Sequence, residues 1–178
     1  MLVDLVQTTT RDGARLDGIW QASEARPAVG LDAFCFLHGT GGNFYGSTLF
    51  DALGERLLQL GCGVLRVNTR GHDVVSNAQT AKGGRRLGAA YEAVDECRHD
   101  VAGWLDWLRA KGMQRVGLLG HSSGAVKALY AAAHEPQLDL ACLVAVSPPR
   151  LSYSWFCSSP EGPEFLRQLD RRLRGDES

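Results

Sequence analysis

The feature that most constrains this chain is the alternation of short apolar segments with longer amphipathic ones. The short segments are mostly continuous apolar runs, typical of strands buried on both faces, at residues 33–37, 64–67, 116–119 and 140–146. The longer segments repeat apolar residues every three or four positions, as helices do, over about 48–60, 91–108 and 123–134. Because strands that alternate with helices form parallel sheets, this order predicts an α/β fold with a mostly parallel, doubly wound sheet.

Two further strand-like segments, at 2–9 and 15–22, precede this alternation. The Asp12-Gly13 pair between them is typical of a hairpin turn, so the sheet is expected to open with an antiparallel pair. Segment 68–90 is rich in Gly, Asn, Thr and charged residues and has little periodicity. It is predicted to be a long loop with at most a short helical turn, and such loops often carry function.

The helix boundaries are marked by residues that commonly begin and end helices. Ser47 or Thr48 is expected to cap the first helix, because a serine or threonine hydroxyl accepts a backbone N–H of the first turn. Gly61 and Gly112 follow the first and second helices and are expected to end them.

Length and charge limit the classes of partner. The 178 residues have a mass of 19.3 kDa, the size of one ordinary globular domain. Nineteen Lys and Arg against twenty Asp and Glu give a net charge of -1, which argues against a nucleic acid or an anionic membrane as partner. The longest apolar stretch, 140–146, is far shorter than the ~20 residues that a spanning helix needs.

The amino terminus and the cysteines indicate the compartment. Residues 1–7 lack the basic start of a secretory signal. The cysteines are odd in number and form no C-x-x-C pair, which predicts buried thiols in a reducing compartment; they are Cys35, Cys62, Cys97, Cys142 and Cys157. The protein is therefore expected to be soluble and cytoplasmic.

Residues 120–124 (GHSSG) match the pattern G-x-S-x-G and lie where a predicted strand meets a predicted helix. A serine on such a tight turn projects its hydroxyl above the sheet, at the positive end of the helix dipole, where an oxyanion is stabilised. The motif therefore predicts a nucleophile at Ser122. The structural alternative is a Gly-Ser turn that only packs.

A second glycine-rich segment, residues 38–42 (HGTGG), follows the buried strand 33–37. Its flexible backbone can leave N–H groups free to face an anion. A dinucleotide-binding G-x-G-x-x-G would need glycine at position 44, where the chain has Phe44, and the sequence holds no P-loop. No nucleotide, other cofactor or metal is therefore expected.

These two motifs, in this order, make nearly the whole chain similar to the α/β-hydrolase superfamily of serine hydrolases. The resemblance implies an α/β-hydrolase fold with an antiparallel N-terminal hairpin and without the last two strands of the family. By this resemblance Ser122 is the nucleophile, and the backbone N–H groups of Thr40 and Ser123 form the oxyanion hole. The glycines of the two motifs are Gly39, Gly41, Gly120 and Gly124.

Segment 68–73 also resembles the family, because it contains the R-G-x sequence that follows the fourth strand. Arg70 is expected in a buried or loop-anchoring hydrogen-bond network. His72 and Asp73 are minor catalytic candidates, and the basic cluster at 82–86 is expected to be a solvated loop rather than an anion site.

A serine nucleophile needs a general base and an acid that orients it, and the family places both after strands that follow the sixth. His134 lies about 18 Å along the helix from Ser122, too far to be the base. None of the other histidines (His38, His72, His99 and His121) is well placed to be the base, and His72 is the best of them. No role is assigned to Asp139, Asp170 or Asp176. Because strand 140–146 would also be left as an apolar edge, the chain is expected to be truncated after strand six.

The sequence changes character after Pro148-Pro149. Residues 1–149 are interpreted as a partial hydrolase core and 150–178 as the start of a cap or lid. The aromatic residues Tyr153, Trp155 and Phe156 are consistent with an apolar substrate pocket and equally with packing. Apolar residues at helical spacing over 165–173 predict an amphipathic helix.

The favoured hypothesis is a serine hydrolase that transfers the acyl group of a small-molecule ester, thioester or amide through Ser122. The chain as given is expected to be poorly active alone. The alternative is a non-catalytic ligand-binding or interaction module on the same scaffold. A third hypothesis is that a second chain supplies the missing histidine.

Overall fold

A computed structural model describes residues 3–26, 28–80, 83–150 and 152–174. The described residues up to Pro148 form one compact unit, and those from Pro149 onward form a second. The first unit contains both glycine-rich motifs. Leu2, Lys82 and Asp176, which the sequence analysis considered, lie outside the described residues.

Within these ranges the chain forms eight strands and five α-helices. The strands are Asp4–Thr9 (β1), Arg15–Gln21 (β2), Ala33–Leu37 (β3), Gly63–Val67 (β4), Ser76–Thr80 (β5), Gly83–Leu87 (β6), Val116–His121 (β7) and Cys142–Val146 (β8). The helices are Thr48–Gln59 (α1), Cys97–Ala110 (α2), Ser123–His134 (α3), Tyr153–Cys157 (α4) and Gly162–Arg174 (α5).

Six strands form one mixed sheet in the order β1-β2-β4-β3-β7-β8. β2 pairs antiparallel with both β1 and β4, whereas β4, β3, β7 and β8 run parallel. The predicted antiparallel opening and parallel, doubly wound sheet are therefore confirmed. β3 and β7 are central neighbours, so the loops that follow their carboxyl ends lie side by side, as expected for a site in this kind of sheet.

The core lies on both faces of the sheet, and β3 shows the division. Phe34 and Phe36 belong to the cluster that includes Phe50 of α1. Cys35 belongs to the cluster on the other face, which includes Trp104 of α2. Because successive strand residues point to opposite faces, the continuous apolar run of β3 is what a strand covered by helices on both sides requires.

The helix ends follow the predicted chemistry. Ser47 caps α1 by accepting the Phe50 N–H at 3.2 Å. Gly61 and Gly112 follow α1 and α2 with φ of 85° and 87°, a conformation that glycine adopts without steric cost.

The largest departure from the prediction is in segment 68–90, where the antiparallel ribbon β5–β6 replaces the expected loop. Its residues are mostly polar, so no alternation of apolar residues marks the strands. Partners distant in sequence hold it instead: the Gly88 N–H donates to the Arg70 carbonyl at 2.8 Å, and Arg85 pairs with Glu96 at 3.0 Å.

The second helix begins later than predicted. α2 begins at Cys97, after a 3₁₀ turn at Val94–Glu96. Tyr91, expected on the apolar face of the helix, lies in a turn with the Arg86 guanidinium 5.8 Å from its ring centre. The apolar face of the helix proper is buried as predicted.

Arg70 is fully buried and anchors the segment after β4, which confirms the expected network. Its guanidinium donates to Asp12 in the hairpin turn and to Asp100 on α2, and it pairs with Glu96 at 3.0 Å. Burial alone would raise the pKa of Asp12, but hydrogen bonds from Arg70 and Thr10 lower it to about 2. One buried cation therefore joins the hairpin, the β4 loop and α2.

The second unit consists of α4 and the amphipathic helix α5, of which only the latter was predicted. The Phe156 and Phe165 rings make an edge contact at 5.3 Å between the two helices. All five cysteines are free thiols; Cys35, Cys62 and Cys97 are buried, and Cys142 and Cys157 are partly exposed. Of the helices described, none combines the length and apolarity needed to cross a membrane.

Candidate active site

Ser122 stands between β7 and α3 in a conformation that non-glycine residues rarely adopt. Its φ is 56° and its ψ is -125°. The Ser122 N–H donates to the Val146 carbonyl at 2.9 Å, which ties the turn to the end of β8. The hydroxyl does not cap α3. The turn therefore holds the backbone under strain and leaves the serine oxygen available for other contacts.

The two motif glycines on either side of Ser122 are required by space. A Cβ on Gly124 would collide with the carbonyl oxygens of Leu37 and His38 at the end of β3. A Cβ on Gly120 would collide with the backbone of Gly124 across the turn. The G-x-S-x-G pattern is thus the steric condition for bringing α3 against β3.

The β3–α1 loop, residues 38–47, passes directly over Ser122. A Cβ placed on Gly39 would lie 3.0 Å from Ser122 Cβ and 3.5 Å from its Oγ. The Gly42 N–H donates to the Gly39 carbonyl at 3.0 Å, and Gly41 has a φ of 62°. Glycine at 39 and 41 therefore permits the close approach and the tight turn.

Side-chain hydrogen bonds hold this loop in place. Asn43 Nδ2 donates to Asp73 at 3.0 Å, and Asn43 Oδ1 accepts the Gly46 N–H at 2.8 Å. Asn68, directly after β4, accepts the Phe44 N–H at 3.1 Å. The loop is thus fixed mainly by the segment that follows β4.

A cavity of about 400 Å³ lies between the two glycine-rich segments. Of the predicted site residues, Gly39, Thr40, Gly41 and Ser122 line it, while Gly120 and Gly124 form the turn below. His38 and Gly42 of the predicted HGTGG segment also line it, and the lining residues that the sequence analysis did not place at the site are Asn43, Gly46, Ser47, Phe50 and His121. The helical pattern could have pointed to Phe50, the only one of them that is a large apolar residue of α1.

Two backbone N–H groups are available near Ser122. Within the described residues, the Thr40 N–H has no hydrogen-bond partner. Ser123 is the first residue of α3, and the first N–H groups of a helix have no carbonyl partner within it. The positive end of α3 also favours negative charge here.

His38 is buried at the start of the loop and has both ring nitrogens occupied. Nδ1 lies 2.8 Å from the Gly39 carbonyl, and Nε2 accepts the Thr69 N–H at 3.1 Å. Burial is the main cause that lowers the pKa of His38, to about 4. His38 is therefore a neutral structural histidine and not a free base.

The other histidines also lack the geometry of a triad base. His72 Nδ1 lies 2.9 Å from Asp73, but His72 lines a separate cavity of about 640 Å³ that does not include Ser122. His134 stacks on Tyr130 near the far end of α3. His121 also lines the Ser122 cavity, but it immediately precedes the serine on the turn. No hydrogen bond joins it to the Ser122 hydroxyl among the described residues.

Solved structures share this architecture. An esterase of Pyrococcus furiosus superposes with a TM-score of 0.66 at 23% identity, covering 94% of this chain and 61% of that one. The α/β hydrolase GrgF from Penicillium sp. sh18 gives 0.66 at 18%, covering 99% and 57%. Est1E from Butyrivibrio proteoclasticus, solved with ferulic acid, gives 0.65 at 19%, covering 86% and 57%. The likeness concerns the fold, and this chain spans about three fifths of their length.

Sequence comparison adds the family. The comparison with curated protein sequences found no match. The model of the alpha/beta hydrolase family matches residues 36–177, which include both glycine-rich motifs and the strands β4, β7 and β8 of the sheet. This chain therefore belongs to the alpha/beta hydrolase family.

Proposed function

We propose that Ser122 is the nucleophile of an acyl-transfer hydrolase that acts on a small carboxylic ester, thioester or amide. The observation that carries the proposal is the strained backbone of Ser122, a residue that lines the cavity and whose hydroxyl does not cap α3. The esterase neighbours, one of them solved with ferulic acid bound, support a carboxylic ester as the first substrate class to test.

The reaction would proceed in two steps. Ser122 Oγ loses its proton to a base and attacks the acyl carbon, and the carbonyl π electrons move onto the oxygen. The N–H groups of Thr40 and Ser123 would hold that oxyanion. Collapse of the intermediate breaks the bond to the leaving group, which takes up a proton. Water then loses a proton to the base and attacks the acyl-serine in the same way. Collapse of this second intermediate releases the carboxylic acid and restores the serine hydroxyl, which takes up a proton.

We infer that the base and its acid belong to a segment outside residues 1–178. No histidine ring nitrogen is hydrogen-bonded to the Ser122 hydroxyl among the described residues: four histidines are placed as described above, and His99 lies on α2. Among the described residues, β8 pairs only with β7, and Val144 and Ala145 are exposed. An apolar edge strand of this kind is normally covered, which supports further strands beside β8.

A fluorophosphonate probe tests the nucleophile in the full-length protein. We expect one label per chain, placed on Ser122 by peptide mass analysis and lost in Ser122→Ala. Ser23→Ala is the matched control, since Ser23 donates to the Leu58 carbonyl away from the cavity. Absence of label in the folded full-length protein would contradict the proposal and leave the non-catalytic binding module.

The intact mass of the protein from its source tests where the base lies. We expect a mass above the 19.3 kDa of these residues. A mass of 19.3 kDa together with Ser122 labelling would refute the external segment and direct the search to a second chain.

A further inference from the structure

A buried chain of hydrogen bonds runs from α3 to the β3–α1 loop. Lys127 of α3 is only 2% exposed, and its Nζ lies 3.1 Å from Thr69 Oγ1 and 2.6 Å from Glu92 Oε1. Thr69 Oγ1 lies 3.2 Å from His38 Nε2, and His38 Nδ1 lies 2.8 Å from the Gly39 carbonyl oxygen. A lysine at the interior of an alanine-rich helix is thereby linked to the Gly39–Thr40 peptide of the loop.

Donor and acceptor chemistry gives this series of hydrogen bonds a single direction. An ammonium group only donates, so Thr69 Oγ1 accepts from Lys127 and its own proton is free to be donated to His38 Nε2. The Thr69 N–H donates to the same nitrogen at 3.1 Å. With Nε2 as acceptor, Nδ1 carries the ring proton and donates to the Gly39 carbonyl. The donors therefore run in one direction, from Lys127 through the Thr69 hydroxyl and His38 to the Gly39 carbonyl.

The last acceptor in this series of hydrogen bonds, the Gly39 carbonyl, sets the direction of the Thr40 N–H. The Gly39 carbonyl and the Thr40 N–H belong to one planar trans peptide and point to opposite sides of it. The carbonyl accepts from His38 at 2.8 Å and from the Gly42 N–H at 3.0 Å. Because the carbonyl is held on that side, the Thr40 N–H is held on the other.

We propose that Lys127 is a positioning residue that acts through Thr69 and His38 to fix the Gly39–Thr40 peptide, and with it the N–H that meets the substrate oxyanion. The inference rests on the proposed function, which gives the Thr40 N–H its role. Glu92 balances the buried ammonium.

The electrostatics around His38 agree with this arrangement. Burial lowers the pKa of His38 most, the Gly39 hydrogen bond raises it, and the charge of Lys127 lowers it further. His72 and Asp73, which also face the ring, act in opposite directions. The net result keeps the ring neutral, which is the form that can accept at Nε2.

The test uses the full-length protein and two readouts: the rate of fluorophosphonate labelling at Ser122 and the ¹⁵N chemical shift of His38 Nε2. In Lys127→Met/Glu92→Gln, which leaves no carboxylate without a partner, we expect labelling about tenfold slower, part of the ~10²–10³-fold lost with a whole oxyanion donor. The ¹⁵N signal of His38 Nε2 should move toward that of a ring nitrogen with fewer donors, because the Thr69 hydroxyl is no longer oriented toward it, while the Thr69 N–H keeps the ring in the Nδ1–H tautomer. Lys111→Met is the control, because Lys111 is exposed over the Trp107 ring, and it should change neither readout.

Thr69→Val removes the hydroxyl but keeps the N–H, so it breaks the chain one bond nearer to His38. We expect the same two changes as in the Lys127 variant. An unchanged labelling rate with an unchanged Nε2 shift in both variants would overturn the inference. If the wild-type protein never labels, the proposed function fails, whereas an Nε2 shift that still depends on Lys127 would support the hydrogen-bond chain itself.

Discussion

The two turns that form the cavity are held in place by different means. The turn at 120–124 is close-packed and has no room for a side chain at Gly120 or Gly124, because a Cβ at either position would collide with backbone atoms. The β3–α1 loop is fixed by hydrogen bonds from His38, Asn43 and residues outside the loop. A turn of the first kind is specified by its own residues, whereas one of the second kind depends on partners brought by the fold.

The serines that precede α1 and α3 show the same contrast. Ser47 has extended backbone, with φ of -119° and ψ of 106°, and uses its hydroxyl to cap α1. Ser122 has φ of 56° and makes no cap. A capping hydroxyl contributes to stability but is engaged, while the strained backbone at Ser122 keeps the hydroxyl free for chemistry.

The largest effect is expected from Gly124→Ala, which tests the steric account of the first turn. The added methyl would press on the carbonyls of Leu37 and His38, so we expect a loss of about 3 kcal/mol or more in the free energy of unfolding. Urea denaturation measures it. The control is Gly103→Ala in α2, where the nearest atoms are 3.6 Å away and the change should stay below about 1 kcal/mol. Equal losses in the two variants would refute the steric account.

Acid should weaken the second turn selectively. Burial holds the pKa of His38 at about 4, against 6.5 for a free histidine. Between these pH values the unfolded chain binds a proton that the folded chain does not, so stability is full above pH 6.5 and declines as the pH falls toward 4. The loss is about 3 kcal/mol by linkage. Urea denaturation from pH 7 to 4 measures this slope, which should flatten in His38→Asn; an identical slope in that variant would contradict the prediction.

Asn43→Ala removes two side-chain hydrogen bonds of the β3–α1 loop and leaves the turn at 120–124 unchanged. Asn43 accepts the Gly46 N–H and donates to Asp73, so we expect a loss of about 1–2 kcal/mol. Amide hydrogen exchange should become faster at Gly46 while remaining unchanged along β7. Faster exchange at both places would mean that the two turns are not held independently.

The smallest effects concern the two serines. Ser47→Ala should cost about 1 kcal/mol, because the Phe50 N–H loses its cap. Ser122→Ala should change stability by less than about 0.5 kcal/mol, since its hydroxyl caps nothing. Thermal unfolding of both variants checks the order, and a larger loss at Ser122 would show that its hydroxyl has a structural role.

The sequence predicted the sheet and its central turns because their determinants are local. The apolar run of β3 and the glycine after α1 act through the segment itself, and the G-x-S-x-G turn is recognisable from its own five residues, although Gly124 also meets the carbonyls that end β3. The ribbon β5–β6 was missed for the opposite reason. Its polar strands are held by Arg70 and Glu96, residues that lie outside them in sequence.

By itself, the sequence determined the doubly wound fold and the position of Ser122 at a strand-to-helix turn. Periodicity and glycine sterics are properties of short segments, so they can be read without a structure. Only the tertiary structure decided that Lys127 and Thr69 meet His38, and that His72 lines a different cavity from Ser122. These relations join residues that are 31 to 58 positions apart, and their energy comes from burial and hydrogen bonding that exist only once the chain has folded.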